Sequence, residues 1–476
     1  MKTGVIFVLL LCCLPLVNVA QVAESDATGK EVREVKVLKK GKIPRDWHLR
    51  CVEEDSVYGA DIYRTYDYLK GRQAKAKTIV AIIDSGADIT HDDLKGSLWT
   101  NWGEIPGNGV DDDNNGYADD VYGWNFLGHP DGRTIKGTWT ADREFLRLKD
   151  KYLNADTTKF SKKESKEYRY FKDVVCRFAV LAKLPSPDSN KEYIDRIHQR
   201  YEERLSLGDD VNSLKERRYG NNNLLGKEEH GTHVAGIVGA TRGNGIGIDG
   251  VADVELMILK VLDGGDEEDK DVASAIYYAV DNGARVINMS FSKNLSLNKK
   301  LVDKAMRYAE RKGVLIVKAA GNDNSSIDEL PCYPNQFLGG KKVLKNFICV
   351  GSIQACGLVA ESSNYGKKSV DLFAPGDVIF STVLENRYKR LSGTSMAAPV
   401  VTGVAALIWN YFPELTAKQV KQAILEGVVS WKGRYVYLPA EIGSPEVVVD
   451  FGELCTTGGI LNALQAVKIA ERMAGE

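Results

Sequence analysis

The chain has 476 residues, 43% of them apolar and 27% charged, with a formal net charge of −2. That length suits one large domain with an insertion, or two or three small ones, and the apolar fraction is ordinary for a globular protein. The balance of 63 basic against 65 acidic residues leaves no electrostatic footprint for nucleic acid or for an anionic membrane surface, so neither is expected as a partner.

Lys2, an apolar run over 5–14 and then Val17-Asn18-Val19-Ala20 have the pattern of a secretory signal peptide, 1–20, cleaved after Ala20. The run is too short to span a bilayer, and no other stretch reads as transmembrane. The expected location is secreted or periplasmic. Cys12 and Cys13 leave lipoprotein anchoring as an alternative, disfavoured because Leu11 stands where such processing prefers a small residue. Cleavage leaves Cys51, Cys176, Cys332, Cys349, Cys356 and Cys455, which an oxidising compartment can pair or leave as buried thiols. Residues 21–43 form a polar leader, and the main domain is expected over 44–476.

A first helix is expected around 61–69. Apolar, largely β-branched runs at 79–83, 256–262, 285–289, 314–318, 347–350 and 370–373 read as buried strands. Helical periodicity appears at 230–240, 272–282, 301–312, 396–411, 417–426 and 460–472. Such alternation implies an α/β fold with a mostly parallel central sheet covered by helices on both faces. The alternation breaks at 127–229. That segment is rich in Lys, Arg and Glu, and carries Phe145, Leu148 and Tyr152, then Phe171, Val174, Val175 and Phe178, at helical spacing. It predicts a helical insert.

Residues 108–120 resemble the start of a calcium loop. Asp111, Asp113 and Asn115 place oxygens at alternate positions, and Gly116 permits a sharp turn. Tyr117 can add a backbone carbonyl, and Asp119 or Asp120 a further carboxylate, as a hard cation requires. The glutamate that closes an EF-hand is absent.

Ser395 stands between small residues ahead of a long apolar helix, where free N–H groups favour developing negative charge. A serine nucleophile needs a base, and the base needs a carboxylate to fix its tautomer. His230-Gly231-Thr232-His233 offers the base, and Asp84 ends a buried strand. Asn322, after the strand at 314–318, can donate a hydrogen bond to an oxyanion.

These segments, Asp84-Ser85-Gly86, His230-Gly231-Thr232-His233, Ala320-Gly321-Asn322 and Gly393-Thr394-Ser395-Met396-Ala397-Ala398-Pro399, resemble the subtilisin-like serine proteases (subtilases) of secreted bacterial type. Their order along the chain, Asp then His then Ser, is the subtilisin order. The resemblance spans roughly 78–470 outside the insert and implies the three-layer subtilisin-like fold. It assigns Ser395 as nucleophile, His230 as general base and then acid, Asp84 as its orienter, and Asn322 with the Ser395 N–H as the oxyanion hole. Ser290, Phe291 and Ser292, with Ala319, Ala320 and Gly321, match the two strand edges that bind substrate; the family usually has Gly where Ser292 stands. His233 falls outside the catalytic positions. Asp93 matches a second calcium position, so structural Ca²⁺ is an expected cofactor. The expected activity is a secreted serine endopeptidase acting on polypeptides through an acyl-enzyme. The alternatives are a specialised processing protease or peptide ligase on the same fold, or a catalytically idle binding protein. The leader is shorter than the inhibitory prosegment such enzymes usually carry, which puts autocatalytic maturation in doubt.

Overall fold

The computed structural model describes residues 43–184, 191–205, 210–339, 342–439 and 447–475, preceded by two short antiparallel strands, Ala20–Gln21 and Glu34–Val35. The signal peptide and most of the leader lie outside the described residues. Among the described residues, no helix is long and apolar enough to cross a membrane.

A nine-stranded sheet organises the rest. Its strands, given with one of the hairpins that interrupt them along the chain, are β1 Thr78–Asp84, β2 Gly123–Asn125, β3 Val254–Lys260, β4 Val286–Met289, β5 Leu315–Ala319, β6 Phe347–Ile353, β7 Leu372–Pro375, the hairpin strands β8 Ile379–Val383 and β9 Arg387–Leu391, then β10 Val429–Ser430 and β11 Gly459–Ile460. The sheet order is β10-β11-β7-β6-β5-β4-β1-β3-β2. Every junction is parallel except β10 with β11 at one edge. Parallel strands must be covered on both faces, which is why these runs are continuously apolar rather than alternating.

The two faces bury separate cores. In β3, Val254, Leu256 and Ile258 point into one core and Met257 and Leu259 into the other. The first core holds the helices His230–Gly239, Thr394–Tyr411 and Ala463–Ala474, and the second Asp269–Asp281 and Lys299–Lys312. The expected strands and helices are all present. The exception is the register at 460–472, where Gly459–Ile460 is an edge strand and the helix starts at Ala463.

The segment 127–229 contains the helices Thr140–Tyr152, Lys162–Tyr170 and Lys191–Leu205, with a π-helical turn at Phe171–Val175. Phe145, Leu148, Tyr152, Phe171, Val175 and Ile197 form a third, smaller core. Arg204 anchors it to the Asp269–Asp281 helix through a buried two-pronged pair with Asp271, at 2.8 and 2.6 Å. The six described cysteines are free thiols.

Candidate active site

Asp84, His230, Ser290 and Ser395 sit at or just beyond the C-terminal ends of parallel strands, where open α/β sheets gather functional groups. Asp84 is the last residue of β1 and is fully buried. Its Oδ1 lies 2.7 Å from His230 Nδ1 and also accepts the Ser85 N–H at 2.7 Å. A carboxylate can only accept here, so Nδ1 carries the proton and Nε2 keeps its lone pair. Burial works against a charged His230. Asp84's charge and hydrogen bond, with help from Glu228, outweigh it and raise the imidazole above its ordinary value.

Glycine makes this contact possible. The His230 helix runs so close to β1 that a Cβ on Gly231 would lie 2.0 Å from the Gly86 carbonyl oxygen. Gly86 itself has φ +85°, a conformation side chains rarely adopt. Ser85 Oγ then accepts the Gly231 N–H at 3.0 Å, tying the helix to the strand end.

His233 lies one turn further along, fully buried, with Nε2 3.1 Å from the carbonyls of Ile379 and Lys389. Burial pulls its value down to about 3. It is a neutral histidine holding the β8–β9 hairpin, apart from the cleft.

Ser395 lies in the first turn of the Thr394–Tyr411 helix, after Gly393 at φ +145°. Its N–H therefore has no intrahelical acceptor. Its Oγ donates to the Ser290 carbonyl at 2.9 Å rather than to His230. The reciprocal bond, Ser290 Oγ to the Ser395 carbonyl at 2.8 Å, is backed by Asn288 Nδ2 at 2.9 Å, and Asn288 Oδ1 accepts from Thr402 at 2.9 Å. This chain locks β4 to the serine helix. Contacts between a serine and a neighbouring histidine in such clefts commonly tighten only when substrate binds.

Asn322 is oriented by Thr394, whose N–H and Oγ1 donate to Asn322 Oδ1 at 2.9 and 3.0 Å. That fixes the amide with its Nδ2 donor left for the cleft. Thr394 Oγ1 in turn accepts from the Gly321 N–H at 3.0 Å.

A cleft of ≈ 470 Å³ joins His230, Ser395 and Asn322 to Ser290, Phe291, Ser292, Ala319 and Gly321. Ala320 does not line it. That residue is fully buried in the second core, and its carbonyl accepts from Cys332 and Asn364. A strand edge presents alternate residues to opposite faces, so the triplet Ala319-Ala320-Gly321 could not all face substrate. The cleft residues not expected from sequence include Trp139, Glu228, Asp266 and Glu267. Asp266 accepts the Thr140 N–H at 2.8 Å, joining the 127–229 segment to the cleft wall. No local pattern marks these four, because their role depends on how two distant segments pack.

Of the expected calcium ligands, Asp111 and Asp113 come together with Glu104, their oxygens all within 4.8 Å of one another. Asp113 Oδ2 also accepts from Asn115 Nδ2 at 3.1 Å. Asp120 lies behind this group, fully buried: it accepts from Asn101, Asn115 and Tyr278, the two asparagine amides also donating to Asp113, and burial raises it to about 6. Tyr117 is a core residue whose hydroxyl donates to the Arg217 carbonyl. Asp119 caps backbone N–H groups of Gly107, Asn108 and Gly109. Glu104 was not foreseen because it lies seven residues before Asp111, outside the loop's own repeat. Asp93 is buried and holds Asn244, Ile248 and Tyr388 by hydrogen bonds.

The profile of the subtilase family matches residues 75–434. A thermophilic serine proteinase of Bacillus sp. (strain AK1) is 41% identical over 181 residues, 38% of this chain and 42% of that protein. Subtilisin-like protease 1 of Plasmodium falciparum is 26% identical over 83% of this chain and 46% of its own length. The chain thus spans less than half the length of either relative. In fold, it resembles a protease of Pseudoalteromonas arctica (TM-score 0.50, 21% identity, 90% of this chain and 100% of the other). It also resembles the epidermin leader peptide processing serine protease of Staphylococcus aureus (TM-score 0.53, 19% identity, 91% and 82%). With the match covering well over half of its residues, the chain belongs to the subtilase family of serine proteases.

Proposed function

We propose that this subtilase is an exported endopeptidase that cleaves peptide bonds through Ser395, His230 and Asp84. The observation that carries the reading is the 2.7 Å contact between His230 Nδ1 and buried Asp84, in one cleft with Ser395 and Asn322. Ser395 Oγ attacks the scissile carbonyl as His230 Nε2 takes its proton. Asp84 holds the imidazole in the needed tautomer and stabilises the imidazolium. The tetrahedral oxyanion receives hydrogen bonds from Asn322 Nδ2 and the Ser395 N–H. His230 returns the proton to the leaving amine, and water then hydrolyses the acyl-enzyme by the same steps.

The reading extends to two further parts of the chain. Glu104, Asp111 and Asp113 fit a calcium ion by donor chemistry and spacing, and the ion would offset their mutual repulsion. The segment 127–229 acts as an insert that walls the cleft and restricts bulky substrates, since Trp139 lines the cleft and Thr140 bonds to Asp266. The test of the reading is Ser395→Ala. Loss of peptide hydrolysis with an unchanged melting temperature supports it; wild-type turnover in the purified variant refutes it.

A further inference from the structure

The helix Thr140–Tyr152 begins on an uncommon residue. The position before a helix's first turn favours Ser, Thr, Asp or Asn, whose side chain accepts a free backbone N–H. Here it is Trp139, extended at φ −70° and ψ 120°, and its side chain makes no such bond. Asp266 does the capping from the cleft wall, its Oδ2 accepting the Thr140 N–H at 2.8 Å. The indole thus contributes nothing to starting the helix.

Nor does it fill a core. Trp139 is 50% exposed and belongs to none of the three hydrophobic cores. Among the described residues its ring has no stacked ring, cation or hydrogen-bond acceptor. Leaving so large a side chain half in water forgoes the stabilisation that burial would bring.

Its backbone, by contrast, is braced on both sides. The Gly137 N–H donates to the Asp263 carbonyl at 2.7 Å, and the Asp266 N–H to the Thr138 carbonyl at 3.3 Å. Arg200 Nη1 clamps the two segments, donating to the carbonyls of Gly137 and Gly264 at 2.9 and 3.0 Å. Glycine permits so close an approach: a Cβ on Gly265 would lie 2.4 Å from the Gly137 carbonyl carbon. The result is an exposed aromatic ring on a fixed backbone, lining the cleft that holds His230 and Ser395. A ring placed in this way is preorganised to receive a ligand. Leu262, next to Asp263 on the same wall, and Phe291 are the other large apolar residues lining that cleft.

We propose that Trp139 is a specificity-determining residue whose indole packs on a large apolar side chain, aromatic above all, of the bound polypeptide. The occupant is the substrate itself, because the ring lines the same cleft as the nucleophile and its base. An aromatic partner gains offset or edge-to-face contact in addition to the buried area. The proposal rests on the proteolytic reading above and adds to it the class of side chain selected and the residue that selects it.

The test uses fluorogenic peptides in which one phenylalanine is walked through each position flanking the scissile bond, against alanine counterparts. Wild type, Trp139→Ala and Trp139→Phe are compared. At one position or more, phenylalanine should raise the wild-type kcat/KM about 10-fold or more over alanine. At one such position Trp139→Ala should cut that ratio about 10-fold, mainly through KM, while Trp139→Phe keeps most of it. Ratios at the remaining positions should stand. If Trp139→Ala leaves every ratio as in the wild type, or lowers kcat for phenylalanine and alanine peptides alike, the residue is structural and the proposal is overturned while the protease reading stands. A wild type indifferent to phenylalanine at every position would overturn it too, with no variant needed. Absence of any Ser395-dependent hydrolysis would overturn both.

Discussion

At the scale of single residues, the site depends on a few short contacts that leave little tolerance. Asn322→Ala should lower kcat by on the order of 100-fold or more with little change in KM, because its donor engages the oxyanion mainly in the transition state. Steady-state kinetics on one peptide would decide this; a change confined to KM would contradict it. The His230 base must be neutral to act, so kcat/KM should climb with pH through a value above the ordinary imidazole one of about 6.5. The same shift means that the Asp84–His230 pair stabilises the fold fully below that ordinary value, and less as pH rises through the raised one. Asp84→Asn removes the charge that raises His230 and leaves the burial that lowers it. Its acid limb should therefore move to lower pH while kcat falls by on the order of 10,000-fold. The four catalytic candidates were legible in the sequence because each is a fixed residue type in a short local motif. Ala320 turned inward because side-chain direction depends on strand phase, which spacing alone does not set.

At the scale of elements, strands and helices were legible because period and length agree with buried parallel strands and amphipathic helices. Short pieces such as β2, the β8–β9 hairpin and the edge strands escaped, since two to five residues carry too little pattern. Two predictions belong here. Calcium held by Glu104, Asp111 and Asp113 should raise the melting temperature, by about 2.7 kcal/mol of added stability at a hundredfold excess over Kd. EGTA should remove this in the wild type and have little effect in Asp111→Ala/Asp113→Ala. An equal effect in both would place the ion elsewhere. The helix Lys191–Leu205 is joined to the Asp269–Asp281 helix by Arg204 and Asp271, both nearly inaccessible. Arg204→Ala leaves a buried carboxylate unmatched and should cost about 3–5 kcal/mol by denaturant unfolding, whereas Arg204→Met with Asp271→Leu should cost far less. A double variant as unstable as the single one would mean the pair is valuable for more than mutual neutralisation.

At the scale of the whole molecule, one sheet delivers Asp84, the Ser290 strand and the Asn322 strand to a common edge, and two helices on one face bring His230 and Ser395 to it. The segment 127–229 closes the other side through Trp139 and the Thr140–Asp266 bond. The sequence indicates this segment's helices but not its contact with the cleft, which exists only once residues far apart in the chain pack together. The account stands or falls on whether this assembly activates one serine. The direct measurement is labelling by a fluorophosphonate probe, with the modified residue located by peptide mass spectrometry. We predict near-stoichiometric labelling at Ser395, lost in Ser395→Ala and greatly slowed in folded His230→Ala. No labelling of the folded wild-type protein, or labelling at another serine, would contradict the account.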